Sequence, residues 1–223
     1  MNPNRLAWNQ RQKTLRRLLA SGGDHPAAIG LFLQQHAAVH TAQLAGDGGW
    51  SFADEVWQDL HDEQARCIPP NGEHSIAWLI WHLARIEDAT MNVLLAGQAQ
   101  VFQDGWFDRL AVPERHTGNL MGPEEIARFS AAIDLNALRE YRTAVGRSTR
   151  AAVLALEPAD VGQKVSPARL QRLLDEGAVI PSATGLLDYW GGLTYAGLLL
   201  MPPTRHNFIH LNEALRLRAK LKR

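Results

Sequence analysis

An all-α fold is what this 223-residue sequence predicts, and three features predict it. Apolar residues recur at helical spacing along nearly the whole chain. No run of strict alternation marks a strand. One segment, Ser75 to Ala96, is apolar nearly all round, with Ile76, Trp78, Leu79, Ile80, Trp81, Leu83 and Ile86, and a helix with so little polar face belongs at the centre of its fold. A bundle of four long helices with additional short helices follows, as one domain over 24–223 with an N-terminal helical extension, 1–23, packed on it.

The first helix is predicted from Pro3 to Ala20 and is basic, with Arg11, Lys13, Arg16 and Arg17; it ends at Ser21-Gly22-Gly23. Asp24 then offers an N-cap with Pro26 in the first turn, and the second helix runs to about Ala45 before Gly46-Asp47-Gly48-Gly49. Ser51 caps a shorter piece, Phe52 to Leu60. The segment Cys67 to Gly72 carries turn chemistry. After the central helix, residues 100–122 read as an irregular connection. Pro123 opens a short helix to Ala132, and Leu135 to Leu156 is long and amphipathic. Pro167 to Glu176 is short again. Helix over Gly185 to Met201 is interrupted at Gly191-Gly192 and stopped by Pro202-Pro203; Thr204 caps the last helix, which reaches about Leu221.

Composition excludes more than it names. Lys+Arg and Asp+Glu are both 23, so the chain has no overall field for nucleic acid or anionic lipid, and its basic clusters read as solvated helix faces. Cys67 is the only cysteine, which points to a reducing compartment. With no continuous apolar leader and no stretch approaching 18 apolar residues, the expectation is a soluble cytoplasmic protein without membrane or nucleic-acid partners. P-loop, G-x-G-x-x-G, G-x-S-x-G, C-x-x-C, H-E-x-x-H and E-x-x-H patterns are all missing from the sequence, which leaves nucleotide use, serine hydrolysis, dithiol redox, zincin and di-iron carboxylate chemistry without support.

The histidines carry the chemistry. His206 and His210 form an H-x-x-x-H pair in the last helix, and positions four apart on a helix diverge by about 40° and lie about 6 Å apart along the axis. Two such imidazoles can close on one metal ion. They share a stripe with Glu213, Leu217 and Leu221, while Phe208, Leu211 and Leu215 make a second apolar stripe. Alone, the pair fits two ligands or two hydrogen-bonded core histidines equally well. His82 tips the balance, because its stripe of Trp78, Leu79, Ile86, Ala89 and Val93 faces inward and an unpartnered buried imidazole is costly. His36 and His40 form a second H-x-x-x-H facing inward with Ile29, Phe32 and Leu33, open between outer-layer donor, fourth ligand and ordinary polar core. His25, His61, His74 and His116 read as surface residues near turns.

Two segments, Ser75-Ile-Ala-Trp-Leu-Ile-Trp-His82-Leu-Ala-Arg-Ile-Glu-Asp88 and Arg205-His206-Asn-Phe-Ile-His210-Leu-Asn-Glu213, resemble the DinB/YfiT-like metal-binding four-helix bundles. In that superfamily one histidine comes from the second core helix and an H-x-x-x-H pair from the last. The resemblance implies a DinB-like bundle with His82, His206 and His210 as ligands of a divalent metal ion, Zn, Ni or Fe. It also implies a small-molecule substrate, with a low-molecular-weight thiol and S-transferase-like chemistry as one candidate, and a homodimer. The N-terminal helix, the insertions at about 100–132 and 160–185, and the extra pair His36/His40 depart from the family pattern.

Three neutral histidines leave a position open for substrate, so metal-dependent transfer or hydrolysis is the leading reading. Glu213, one turn after His210, is placed to orient a ligand imidazole, act as general base or coordinate; Arg85, one turn after His82, flanks the site, and the two can equally form a charge pair. Glu87 and Asp88 point away from His82 on an ideal helix. The alternatives are a non-catalytic metal- or ligand-binding stress-related protein of the same fold, and a purely structural bundle.

Overall fold

The computed structural model describes residues 2–20, 23–44, 46, 49–70, 72, 74–103 and 105–221. Ser21, Gly22, Ala45, Asp47, Gly48 and Asn71, named above as turn or helix-end residues, lie outside these. Helix α1 (Pro3–Ala20) is followed by α2 (His25–Val39), whose first turn is closed by Asp24 accepting from the Ala27 N–H at 2.9 Å. The helix ends at Val39 rather than Ala45. His40 leaves the helical region at φ −111°, ψ −101°, and a 3₁₀ turn over Ala42–Leu44 follows. Short helices α3 (Phe52–Trp57), capped by Ser51, and α4 (Asp62–Arg66) lead to the central helix. The connection after it holds a 3₁₀ turn (Val101–Gln103) and α6 (Trp106–Arg109), so it is less irregular than its sequence suggests.

Central helix α5 (Ile76–Glu87) is buried at every residue and runs on through a π-helical segment, Asp88–Ala96, to Gly97 at φ +70°. It packs against α8 (Leu135–Leu154) on one side and α12 (Asn207–Leu221) on the other, and α2 touches α8 and α12 to close the four-helix bundle. Between these lie α7 (Pro123–Ala132), α9 (Pro167–Asp175), α10 (Gly185–Gly191) and α11 (Tyr195–Leu200). Among the described residues there is no strand; a single bridge joins Lys164 and Thr194. None of the described helices is long and apolar enough to cross a membrane.

Pro202-Pro203 does not stop the chain. Residues Met201–His206 form a π-helical segment that passes directly into α12, and Thr204 caps nothing. Two prolines remove two backbone donors and crowd the preceding turn, which a wider turn accommodates. Side chains meet carbonyls along this stretch: Thr204 Oγ1 donates to Leu199 O (2.8 Å), Gln12 Nε2 to Leu200 O (3.1 Å), and Asn207 Nδ2 to Pro203 O (3.1 Å).

Helix α1 lies along α2 and against α11. Its Trp8, fully buried, stacks on Phe208 of α12 with ring centroids 4.0 Å apart and 7° between planes, and donates its indole N–H to Gln35 O. The second apolar stripe of α12, predicted from Phe208, Leu211 and Leu215, is thereby covered within the chain by α1 and α3.

Candidate metal centre

His82 sits mid-way along α5, His206 at the end of the π-helical segment and His210 one turn into α12. Their rings approach one another closely: centroids are 5.0 Å apart for His82–His206, 5.5 Å for His82–His210 and 4.7 Å for His206–His210. Taking one nitrogen from each, the three potential ligand atoms all lie within 4.8 Å of one another. Such a group can hold a metal ion.

Two of the imidazoles are oriented by acceptors on the far side of the ring. His82 Nδ1 lies 2.6 Å from Thr117 O, and a carbonyl only accepts, so Nδ1 carries the proton and Nε2 the lone pair. His210 Nδ1 donates to Glu213 Oε2 at 2.9 Å. This is the arrangement that fixes tautomer and ring direction in histidine metal sites. His206 differs: its Nδ1 is buried with no hydrogen-bond partner among the described residues, an orphaned polar atom in the middle of the cluster.

Burial keeps His82 and His206 neutral. Burial pushes the His82 imidazole down to about 4, against the opposing pull of the Thr117 carbonyl. Burial, reinforced by His82 and His210, holds His206 well below the usual histidine range. The hydrogen bond from His210, helped by His74 at 3.8 Å, holds the Glu213 carboxyl down to about 2. Three imidazoles and an adjacent carboxylate are a donor set suited to a divalent cation.

His74 belongs to this neighbourhood, contrary to its expected surface role. It stacks on Trp78 at 4.0 Å, and Trp78 stacks on His82 at 4.8 Å. Positions 74, 78 and 82 are spaced four apart, the helical signal from which the stack is legible. His74 also lines a cavity of about 350 Å³ with Ile68, Gly72, Met121, Pro123 and Ile126.

Arg85 does not reach Glu213. Buried at 1 % exposure, it donates to Asp88 Oδ2 (3.2 Å), Tyr141 Oη (3.0 Å), Gln100 Oε1 (2.9 Å) and Arg115 O (2.7 Å), and lies over the Phe102 ring at 4.0 Å. Its connection to the histidines is indirect: it ties down the backbone at Arg115, two residues before the carbonyl that holds His82. Asp88 also accepts from Tyr141 and from the Val101 and Phe102 N–H groups.

His36 and His40 join Glu87 rather than the three histidines. His36 Nε2 lies 2.8 Å from Glu87 Oε1 and His40 Nε2 3.8 Å from Oε2, a fully buried group whose potential ligand atoms also fall within 4.8 Å of one another. Thr149 and Asn207 donate to the same carboxylate, both at 2.8 Å. Burial opposes ionisation of Glu87, but His36, His40 and Arg142 outweigh it and hold the carboxyl well below its usual range. Sequence reasoning placed Glu87 off the metal but did not find its partners, which come from other helices.

Among curated proteins none matches this chain. A family model, that of the DinB superfamily, matches residues 47–180, a span that takes in His82 and more than half of the sequence. With the all-helical bundle and the three-histidine cluster beside that match, the chain belongs to the DinB superfamily.

Proposed function

We propose that this protein is a metal-dependent enzyme holding a Zn, Ni or Fe ion on His82, His206 and His210, with transfer or hydrolysis at the open position. The observation that carries the reading is the convergence of three imidazoles, two of them oriented by Thr117 and Glu213. His206 Nδ1 supports it, since buried polar atoms ordinarily find a partner and this one has none among the described residues. When bound, the ion supplies Lewis acidity and lowers the pKa of a water or thiol.

The chain's own residues do the rest. Glu213, ionised and half-buried, orients His210 and is placed to take a proton from a substrate bound beside it. Arg85 acts as a positioning residue through the 115–117 backbone. The His74-lined cavity, apolar on its other walls, offers room for a small substrate, and a low-molecular-weight thiol is one candidate co-substrate. No membrane or nucleic acid enters this reading. It takes the chain to act in the cytoplasm, as a monomer or a homodimer.

Elemental analysis of purified protein tests the site. Near-stoichiometric metal lost in His82→Ala and His206→Ala is the expected result; metal-free protein whose stability is unchanged in both variants sinks it. A thiol-conjugation screen of the metal-loaded protein then separates enzyme from non-catalytic binder.

A further inference from the structure

A second cavity, of about 200 Å³, opens between α2, α3 and α8, away from the three histidines; His40, Asp54, Trp57, Arg139, Arg142 and Thr143 are among its walls. Arg142 is 3 % exposed, and no carboxylate lies within ion-pair distance of it among the described residues. Its guanidinium reaches neutral acceptors only: Val39 O at 2.8 Å, the last carbonyl turn of α2, and Asn207 Oδ1 at 3.4 Å. Its Nε, the Nε of Arg139 and both ring nitrogens of His40 are buried without a hydrogen bond among the described residues, His40 Nε2 keeping only the long 3.8 Å approach to Glu87. Arg139 is fixed over the Trp57 ring at 4.2 Å. Buried donors left unpaired are costly, and buried cations more so.

The sign of the missing partner follows. Glu87 behind His40 is already occupied by His36, Thr149 and Asn207, and the charge of Arg142 acts against a cation there. Asp54 contributes one negative charge to the cavity but spends Oδ2 on the Ala42 N–H at 2.8 Å. Two guanidiniums face it. A wider cleft of about 540 Å³ shares Arg139 and Thr143 and adds Arg109 and Arg147, with Arg109 paired to Glu140, so the approach is basic as well.

We propose that this cavity binds a small oxyanion, a carboxylate or a phosphate, on Arg142 and Arg139 with His40 beside them. Planar guanidinium forks match both anions. Gly146 of α8 is part of the construction: a Cβ there would come within 2.7 Å of the His40 ring, so only glycine leaves the imidazole its place at the cavity wall.

Isothermal titration with inorganic phosphate and with succinate, at ionic strength held constant by sodium chloride, tests the site. Saturable binding of either anion is expected, phosphate alone identifying a phosphoryl ligand and succinate alone a carboxylate. Binding persists in His82→Ala and weakens about tenfold or more in Arg139→Gln and Arg142→Gln. Should Arg142→Gln fail to fold by circular dichroism, Arg139→Gln and Arg139→Glu decide, because Arg139 is only half-buried. The proposal is overturned if neither anion binds, if the arginine variants that fold bind as the parent does, or if His82→Ala abolishes binding and so places the anion on the metal.

Discussion

The carbonyl of Thr117 accepts the Nδ1 proton of His82 at 2.6 Å, joining the 115–118 turn to the central helix at the one point that sets the imidazole's direction. The next residue, Gly118, sits at φ +85° with Trp81 against it: an added Cβ would lie 2.5 Å from a ring carbon of that indole. Turn, indole and imidazole are therefore one packed unit.

Gly118→Ala is expected to push the turn off Trp81 and pull the Thr117 carbonyl away from His82. Disturbing such a supporting bond costs about 10–100-fold in metal affinity. The positive φ and the clash together cost about 1–3 kcal/mol in stability. Chelator competition and urea unfolding read the two effects; unchanged affinity in a destabilised protein would detach Thr117 from the site.

Glu213→Ala removes the acceptor of His210 Nδ1–H without touching the core, since the carboxylate is 32 % exposed. About tenfold or greater loss of metal affinity is expected, with the metal-free melting temperature little changed. Equal affinity in parent and variant rules out the orienting role.

Stability should fall as the solution is acidified below about pH 6.5. Burial, with Arg142 adding to it, keeps His40 well below the usual histidine range, so the unfolded chain binds the proton that the folded chain refuses. Stability then rises with pH across that window, by about 1.4 kcal/mol per pH unit for one such group. Glu87 has the opposite chemistry and the same sign: its depressed carboxyl contributes stability above about pH 4.5, lost below it. Urea midpoints measured from pH 7 to pH 5 check this. His40→Gln should flatten the slope whatever it does to the level, and an undiminished slope contradicts the assignment.

Trp8→Ala, on a helix outside the predicted bundle, should cost about 3–5 kcal/mol, because the indole is fully buried against Phe208 and its neighbours. Denaturant unfolding measures it. A cost under about 1 kcal/mol would mean that α1 is only loosely docked.

Local periodicity determined much of this protein. Helical spacing gave nearly every element, Asp24, Ser51 and Pro123 marked helix starts correctly, and the inward faces of α5 and α12 singled out His82, His206 and His210. A side chain's face follows from its own helix, so these residues were legible without a partner in view. What the sequence could not contain was the phase and the neighbours. The π-helical segments at Asp88–Ala96 and Met201–His206 alter the 3.6-residue turn, and each residue of register is worth about 100° around the axis. Only their folded form decides how His206 turns toward His82. Partners from distant elements were equally hidden: Thr117 for His82, Glu87 for His36 and His40, Tyr141 and the Arg115 carbonyl for Arg85. Nothing in the amphipathic pattern of α8 singles out its Arg142. Packing against α2 buried Arg142, and burial is what turns a common residue into one that needs a partner.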